Sequence, residues 1–536
     1  MKYPIGIQTF DQIIEDGYVY VDKTDLVYKL VKEGKIYFLS RPRRFGKSLL
    51  VSTFKAYFQG KKELFKGLKI DALEKDWNVY PVFHIDFNQG KFTNPTELKI
   101  VIDEFIAENE KRFGIEKDSD VTGKRFAKIL KTAHEQTGRK AVVLIDEYDK
   151  PLLDVMETGS IVIGDDGREI LLEEYNRQLL KSFYSVFKAA DADLQFVLLT
   201  GVTKFSQVSV FSGFNQPKDL GRDPRYDALC GITTEEMLTY FDEPIRELAE
   251  KNKVSYDVMV ATLKRRYDGY HFSEEMIDIY NPFSIINCLD SLKIMDYWFA
   301  SGTPTYLMRL MANNNVNINE IISREYAESE FIDFKADKQM PLPMLYQSGY
   351  LTIKGYNTRM KKYKLDFPNE EVRSGIISLL SAKYFDDSPS RGAWIDKVIY
   401  ALDEGDLDTF GKEITALLAS ISYRFREVGG NEMEYERHFQ YSFYLIMKMI
   451  GMYNTLVEKE TSQGRIDCVM ECPDYIYIFE FKRDGNVDDA LKQIDEKGYT
   501  KPYLTDSRPL YKVGVNFSTA TGTIEEMKYE LIEKLN

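Results

Sequence analysis

Ile36-Tyr37-Phe38-Leu39 is a short apolar run that passes through Ser40-Arg41-Pro42-Arg43-Arg44-Phe45-Gly46-Lys47-Ser48 into the amphipathic stretch Leu49-Leu50-Val51-Ser52-Thr53-Phe54. A strand, a loop closing on Gly-Lys-Ser and a helix leave few folds open. The strand must deliver the chain to a helix N-terminus, where unpaired N–H groups face anions. The N–H groups of Arg44, Phe45 and Gly46 would hold phosphates, Lys47 would reach the outer phosphates, and Ser48 would bind Mg²⁺. About a hundred residues later, Ala141-Val142-Val143-Leu144-Ile145 runs into Asp146-Glu147. Asp146 would hold Mg²⁺ through water or Ser48, and Glu147 would polarise the attacking water. A third apolar run, 194–199, ends in Thr200-Gly201-Val202-Thr203, and Thr200 would touch the γ-phosphate or that water. Such strands with intervening helices predict an α/β sheet of parallel strands.

The loop departs from the usual Walker A pattern. Its first glycine falls at Arg41, and Pro42 removes one N–H donor. Alone, the segment reads better as a basic loop before a helix. The Asp-Glu strand, in the Walker B position, and the third strand turn the reading to ATP.

A second site is written near the C-terminus. Gly464-Arg465-Ile466-Asp467 is followed, across a turn at 471–474, by Ile476-Tyr477-Ile478-Phe479-Glu480-Phe481-Lys482. Residues two apart on a strand share a face, so Glu480 and Lys482 project together, and Asp467 reaches them from the neighbouring strand. Carboxylates hold a hard divalent cation, and a lysine beside it serves the same water or phosphate. That is the equipment of metal-dependent phosphodiester cleavage, although an edge strand ending in Glu-x-Lys is also a common solvated feature. The apolar run 475–479 suits a buried strand that brings the pair to the sheet rim. A helical segment at 487–497 carries Gln493, and an amphipathic stretch at 432–452 carries Glu436.

The order of helix with Glu436, strand with Asp467, strand with Glu480-x-Lys482 and helix with Gln493 resembles the PD-(D/E)XK nuclease superfamily over 431–517, with Ile466-Asp467 in place of the usual Pro-Asp. The resemblance implies that Glu436, Asp467 and Glu480 ligate Mg²⁺ or Mn²⁺, that Lys482 activates the nucleophile, and that Gln493 orients substrate. At the other end, Tyr20-Val21-Asp22-Lys23-Thr24, Arg41 to Ser48, Pro81-Val82-Phe83, Asp146-Glu147-Tyr148-Asp149 and Thr200-Gly201-Val202-Thr203-Lys204-Phe205-Ser206 resemble the bacterial AAA-ATPase-like proteins. These carry an Arg-Pro-Arg-Arg-Phe-Gly-Lys-Ser loop and commonly end in a PD-(D/E)XK domain, so the departure at Arg41 is a family trait. Further blocks, Lys264-Arg265-Arg266-Tyr267-Asp268-Gly269-Tyr270-His271-Phe272, Tyr280-Asn281-Pro282-Phe283-Ser284 and Tyr297-Trp298-Phe299, extend the likeness through the middle of the chain. Lids of AAA-type ATPases are helical and bring an arginine to the nucleotide. Arg265 or Arg266 would do so, in cis or in trans from a second copy, and a solvated basic helix face is the competing reading.

The remaining sequence sets bounds. At 536 residues the chain has room for about three to four domains. A net charge of −14 argues against a surface coated for nucleic acid but leaves room for a local basic cleft. Four cysteines make no disulfide scaffold, and Cys468 and Cys472 lack companions at zinc spacing. None of His84, His134, His271 and His438 has zinc spacing either. The N-terminus has no signal-peptide pattern and no apolar run approaches a membrane span, so a cytoplasmic protein without membrane contact is expected. Residues 215–227 read as a connecting loop, 233–310 as mainly helical, 331–372 as strand-rich and winged-helix-like, and 403–413 as an acidic, helix-prone link. Glu370, Glu371 and Arg373 read as solvated surface.

The expected architecture is α/β. A P-loop NTPase parallel sheet with helices on both faces spans 1–225. A mainly helical lid and winged-helix-like region spans 226–385, and an α/β PD-(D/E)XK nuclease-like domain spans 386–536. Two functions fit. In one, ATP binding and hydrolysis are coupled to metal-dependent cleavage of nucleic acid, with DNA ahead of RNA on the resemblance. In the other, a nucleotide switch or scaffold uses the nuclease-like domain only to bind nucleic acid or a partner.

Overall fold

The computed structural model describes residues 1–164, 166–204, 217–301, 321–322, 324–332, 341–376, 397–398, 400–420, 454–461, 464–472 and 474–532. The chain forms two compact units, Met1–Arg373 and Ser374–Asn536.

The first unit is built on strands β1 (Ile36–Ser40), β2 (Val82–Asp86), β3 (Ala141–Asp146), β6 (Leu194–Gly201) and β7 (Lys218–Asp219), in the order β2-β3-β6-β1-β7. All four pairings are parallel. A small hairpin, β4 (Ile161–Ile163) with β5 (Glu169–Leu171), lies between β3 and β6 in sequence. Every residue of β3 is buried, which is why its apolar run is continuous rather than alternating. Register then aligns the polar ends. Asp86 pairs with Asp146, and Ser40 pairs with Gly201, so the strands finish at one edge, where open α/β sheets hold ligands. The expected connecting loop at 215–227 is corrected in part. Lys218–Asp219 hydrogen-bonds beside Tyr37 and Phe38 as an edge strand, too short to leave a periodic signal.

The next segment is helical, as expected. Thr234–Lys251 starts at a capping box in which Thr233 and Glu236 satisfy each other's backbone N–H groups. Tyr256–Tyr267 and Pro282–Ser291 follow, capped by the Ser255 and Asn281 side chains, and a two-residue ribbon joins β8 (Ile232–Thr233) to β9 (Ile279–Tyr280). Their apolar faces share one core of Met237, Phe241, Ile245, Leu263, Ile285 and Leu289. Beyond them β10 (Glu325–Ala327), β11 (Thr352–Asn357) and β12 (Lys362–Asp366) form an antiparallel sheet in the order β10-β12-β11 beside the helix Leu342–Gln347. Glu371 corrects the expectation of solvated surface. It is 1% exposed and accepts hydrogen bonds from the Ser284 hydroxyl and the Trp298 N–H. Asn369 caps the helical turn there and turns Glu371 inward.

The second unit is a five-stranded mixed sheet in the order of its sequence: β13 (Asn454–Thr461), β14 (Gly464–Glu471), β15 (Ile476–Arg483), β16 (Leu510–Ser518) and β17 (Thr523–Ile532). The β15–β16 pairing is the parallel one among them, and its crossover carries the helix Val487–Glu496. That helix packs with Ile466, Ile476, Ile478 and Leu510. A separate core gathers Phe479, Phe481, Val513 and Val515 with Leu407, Phe410, Ile414 and Leu418 of the helix Leu407–Ser420. The acidic, helix-prone link expected at 403–413 is helical from Leu407, and its apolar residues, recurring at helical spacing behind an acidic face, join the core. All four cysteines are buried thiols. Among the described residues no helix is long and apolar enough to cross a membrane.

Asp268, at the end of the helix Tyr256–Tyr267, is 1% exposed, and burial pushes its carboxyl up to about 7. The folded chain therefore keeps a proton that the unfolded chain releases. Stability is lost as pH rises from about 4 to about 7, and the loss is complete above that. Asp268→Asn should match the parent near pH 4 and exceed it by on the order of 4 kcal/mol at pH 8, as read by denaturant unfolding at each pH. A pH-independent difference would remove the carboxyl from this role.

Candidate nucleotide and metal sites

The loop between β1 and the helix Lys47–Phe58 turns at two left-handed residues, Arg44 (φ 68°) and Gly46 (φ 88°). At Gly46 this conformation carries no Cβ penalty, and at Arg44 it does. The helix starts at once, so Lys47 points back under the loop. Its ammonium is buried and donates to the carbonyls of Arg41 (3.0 Å) and Pro42 (3.1 Å). Glu147 Oε1 lies 3.9 Å from it.

Glu147 is itself left-handed (φ 51°) and follows the strand end at Asp146. Asp146 is 2% exposed and accepts from the Thr200 hydroxyl and from the Glu147 N–H (3.1 Å). Asp149 is fully buried. One of its oxygens takes the N–H of Val202 and the N–H and hydroxyl of Thr203. Burial, with Glu147 nearby, pushes its carboxyl up to about 6. Asp86, beside Asp146 in register, is also raised, by burial first and then by Asp146 and Glu147.

Arg41 is 1% exposed. Its guanidinium donates to the carbonyls of Ser40, Gly221 and Tyr226 and lies 3.9 Å from the Phe272 ring. Phe45 packs edge-on against Tyr270 and Phe272.

In the second unit the β14–β15 ladder is closed from Glu471–Ile476 to Cys468–Phe479. Past that point Asp467 Oδ2 accepts the Phe481 N–H at 2.9 Å, so the carboxylate takes a place in the ladder. Glu480 is 2% exposed. Its Oε1 accepts from the Gln493 amide and lies 3.8 Å from Lys482 Nζ, while its Oε2 has no partner. Lys482 Nζ donates to Gln493 Oε1 at 2.6 Å. Burial and the Asp467 charge raise the Glu480 carboxyl to about 8 against the lowering effect of Lys482. Gln493 reaches this cluster because Gly514, opposite Glu480 in β16, lets the helix approach. A Cβ there would lie 2.8 Å from the Val487 carbonyl oxygen.

A family model described as predicted AAA-ATPase matches residues 4–211, and one described as PD-(D/E)XK nuclease superfamily matches 434–527. A curated relative from Azotobacter chroococcum mcd 1, described as an uncharacterized protein in the vnfD 5′ region, is 34% identical over 527 residues, covering 96% of each chain. The chain belongs to the AAA-ATPase-like proteins that end in a PD-(D/E)XK nuclease domain.

Within this AAA-ATPase-like protein the fold brings Lys47, Asp146, Glu147 and Thr200 together at one sheet edge, with Ser48 half-buried in the first turn of the helix. Arg44 is exposed, with its guanidinium 5.2 Å from the Phe283 ring. Arg265 and Arg266 are joined to acidic neighbours instead, Arg265 to Glu370 and Arg266 to Asp296. Asp467, Glu480, Lys482 and Gln493 converge in the PD-(D/E)XK unit, whereas Glu436 and His438 lie outside the described residues. Among the described residues no group of three His, Cys, Asp or Glu side chains forms a metal cage. Sequence reading missed Asp86, which ends an apolar strand as Asp146 does. It also missed the anchoring of the loop by Arg41 and Phe45, whose partners are remote in sequence.

Gly514→Ala should cost roughly 1–3 kcal/mol by pushing the helix Val487–Glu496 off the sheet. Urea unfolding of the variant would measure it, and an unchanged midpoint would mean the helix can give way freely.

Proposed function

We propose that this protein binds and hydrolyses ATP with Mg²⁺ at the β1 loop and cleaves nucleic-acid phosphodiesters at the β14–β15 fork, the nucleotide state gating the cleavage. Residues 1–225 would bind ATP, 226–385 would respond as a lid, and 386–536 would cut. The observation that carries the reading is Glu480: a buried carboxylate with one unpartnered oxygen, set against Lys482 and Gln493 beside Asp467. Buried polar groups are normally paired, so an orphaned carboxylate oxygen next to a second carboxylate fits a divalent cation.

Asp467 and Glu480 would hold Mg²⁺ or Mn²⁺, with Glu436 as a further ligand. When bound, the cation supplies charge neutralisation on the phosphate and makes the attacking water easier to deprotonate. Lys482, tethered by Gln493 at 2.6 Å, keeps an ammonium beside the position where anionic charge develops. In the first unit the fit rests on Lys47. Its ammonium is satisfied by two loop carbonyls and can exchange them for phosphate oxygens. The N–H groups of Arg44, Phe45 and Gly46 line the loop as phosphate donors in a Walker A role. Ser48 and Asp146 would hold Mg²⁺ and Glu147 would orient water in a Walker B role. Thr200 keeps Asp146 in place. Arg265 or Arg266 would reach the γ-phosphate after releasing Glu370 or Asp296, in cis or from a second copy. DNA is the preferred substrate and the cytoplasm the expected location.

Lys47→Ala should abolish ATP binding in calorimetry, and Glu147→Gln should bind ATP but not turn it over. Unchanged affinity in Lys47→Ala would end the nucleotide assignment. Asp467→Asn and Glu480→Gln should each lower Mg²⁺-dependent cleavage of plasmid, linear or single-stranded DNA or of RNA by roughly a hundredfold or more. Lys482→Ala should slow turnover and leave Mn²⁺ binding nearly intact. Folded parent protein that binds nucleic acid and cuts none, with or without ATP, would favour the switch or scaffold.

A further inference from the structure

We infer that Trp298 is a positioning residue for the 41–46 loop, reading the loop's backbone through the Arg43 carbonyl and tying it through Glu371 to the end of the first unit. The inference rests on the nucleotide reading of that loop.

Trp298 lies in the short helix Tyr297–Ala300 and is 5% exposed. Its indole N–H donates to the Arg43 carbonyl at 3.0 Å. Arg43 precedes Arg44, the left-handed residue at which the loop bends. The peptide between the two must rotate if Arg44 leaves that conformation, and its carbonyl oxygen turns with it. The indole hydrogen bond is therefore available to one setting of the loop. The backbone N–H of Trp298 donates to Glu371 Oε1 at 2.6 Å. The Ser284 hydroxyl donates to Glu371 Oε2 at 2.7 Å. The residue before Ser284, Phe283, lies under the Arg44 guanidinium. The contacts close a circuit from Arg43 through Trp298, Glu371 and Ser284 to Phe283 and back to Arg44.

A second grip lies next to the first. The Trp298 ring packs on Tyr350 at 5.0 Å. Gly349, just before it, has φ 86° and comes so close to Pro42 that a Cβ would lie 2.7 Å from the proline ring. The loop thus has reason to hold two settings. In the described one, Lys47 is satisfied by the Arg41 and Pro42 carbonyls, in the two peptides that precede Arg43. A phosphate that draws the ammonium away frees those carbonyls, and the strain at Arg44 favours relaxation there. Glu371 lies two residues before Arg373, where the first unit ends. A shift of Trp298 would pass to Glu371 through their hydrogen bond.

A tryptophan in this place could serve packing alone, and Trp298→Phe separates the two roles. Phenylalanine keeps a ring against Tyr350 and the backbone N–H to Glu371, and removes only the indole donor. ATP affinity of the full chain, measured by calorimetry, should change roughly three- to tenfold in Trp298→Phe, the worth of one buried hydrogen bond. The ligand-free melting temperature should move little. Ser284→Ala, which loosens Glu371 without touching the loop, should change affinity in the same direction. ATP should also alter the tryptophan emission of the parent, and that change should vanish in Trp298→Phe. Parent-like affinity within about twofold in both variants, or an emission response that survives in Trp298→Phe, would overturn the inference while leaving ATP binding intact. Absence of ATP binding in the parent itself would overturn the nucleotide reading and this inference together.

Discussion

Lys47 is 3% exposed, and a buried ammonium needs acceptors if it is to stay charged. It finds them in the Arg41 and Pro42 carbonyls, with Glu147 at 3.9 Å. Much of the first unit follows from meeting that demand. The loop must curl far enough for two carbonyls to face inward, which needs left-handed residues at Arg44 and Gly46. Its outer side must then be braced, and Phe45 and the Arg43 carbonyl reach Tyr270, Phe272 and Trp298 for that purpose. Helices remote in sequence are folded against the loop because the lysine has made it take this shape.

The second unit treats a buried charge differently. Glu480 is as buried as Lys47, yet one oxygen is left without a partner and its carboxyl is raised to about 8. Lys482 and Gln493 approach from one side, and Asp467 adds a second negative charge. A site of this kind is held together by the surrounding sheet and helix, not by its own charges. The close approach at Gly514 is part of that support.

The strands β1, β3, β6 and β15 and the helix Val487–Glu496 were legible in the sequence because each is a long enough apolar run or amphipathic repeat to carry its own period. The convergence of Asp467, Glu480, Lys482 and Gln493 followed from strand alternation and one helix. Other features had no local signal. β7 is two residues long. Glu371 looks like any surface carboxylate until the chain brings Ser284 and Trp298, dozens of residues away, to its two oxygens. Arg265 and Arg266 read as a basic run, but their partners Glu370 and Asp296 come from other segments. The acidic stretch at 403–413 was legible as helix-prone, and a helix does start at Leu407. What its charges did not show is that Leu407, Phe410 and Ile414 on the other face belong to the core.

Arg41 has a consequence of its own. Its guanidinium is held by carbonyl oxygens and an aromatic face, and the loop it helps to hold is the one that closes on Lys47. Carbonyl oxygens take its terminal N–H groups, its Nε has no partner among the described residues, and Asp227 and Asp219 offset part of its charge. At 1% exposure, mobile ions cannot approach it. The charge at the base of the loop therefore acts from inside the protein. Surface lysines would give an attraction for anions that fades as ionic strength rises, and a charge set in the interior is screened much less.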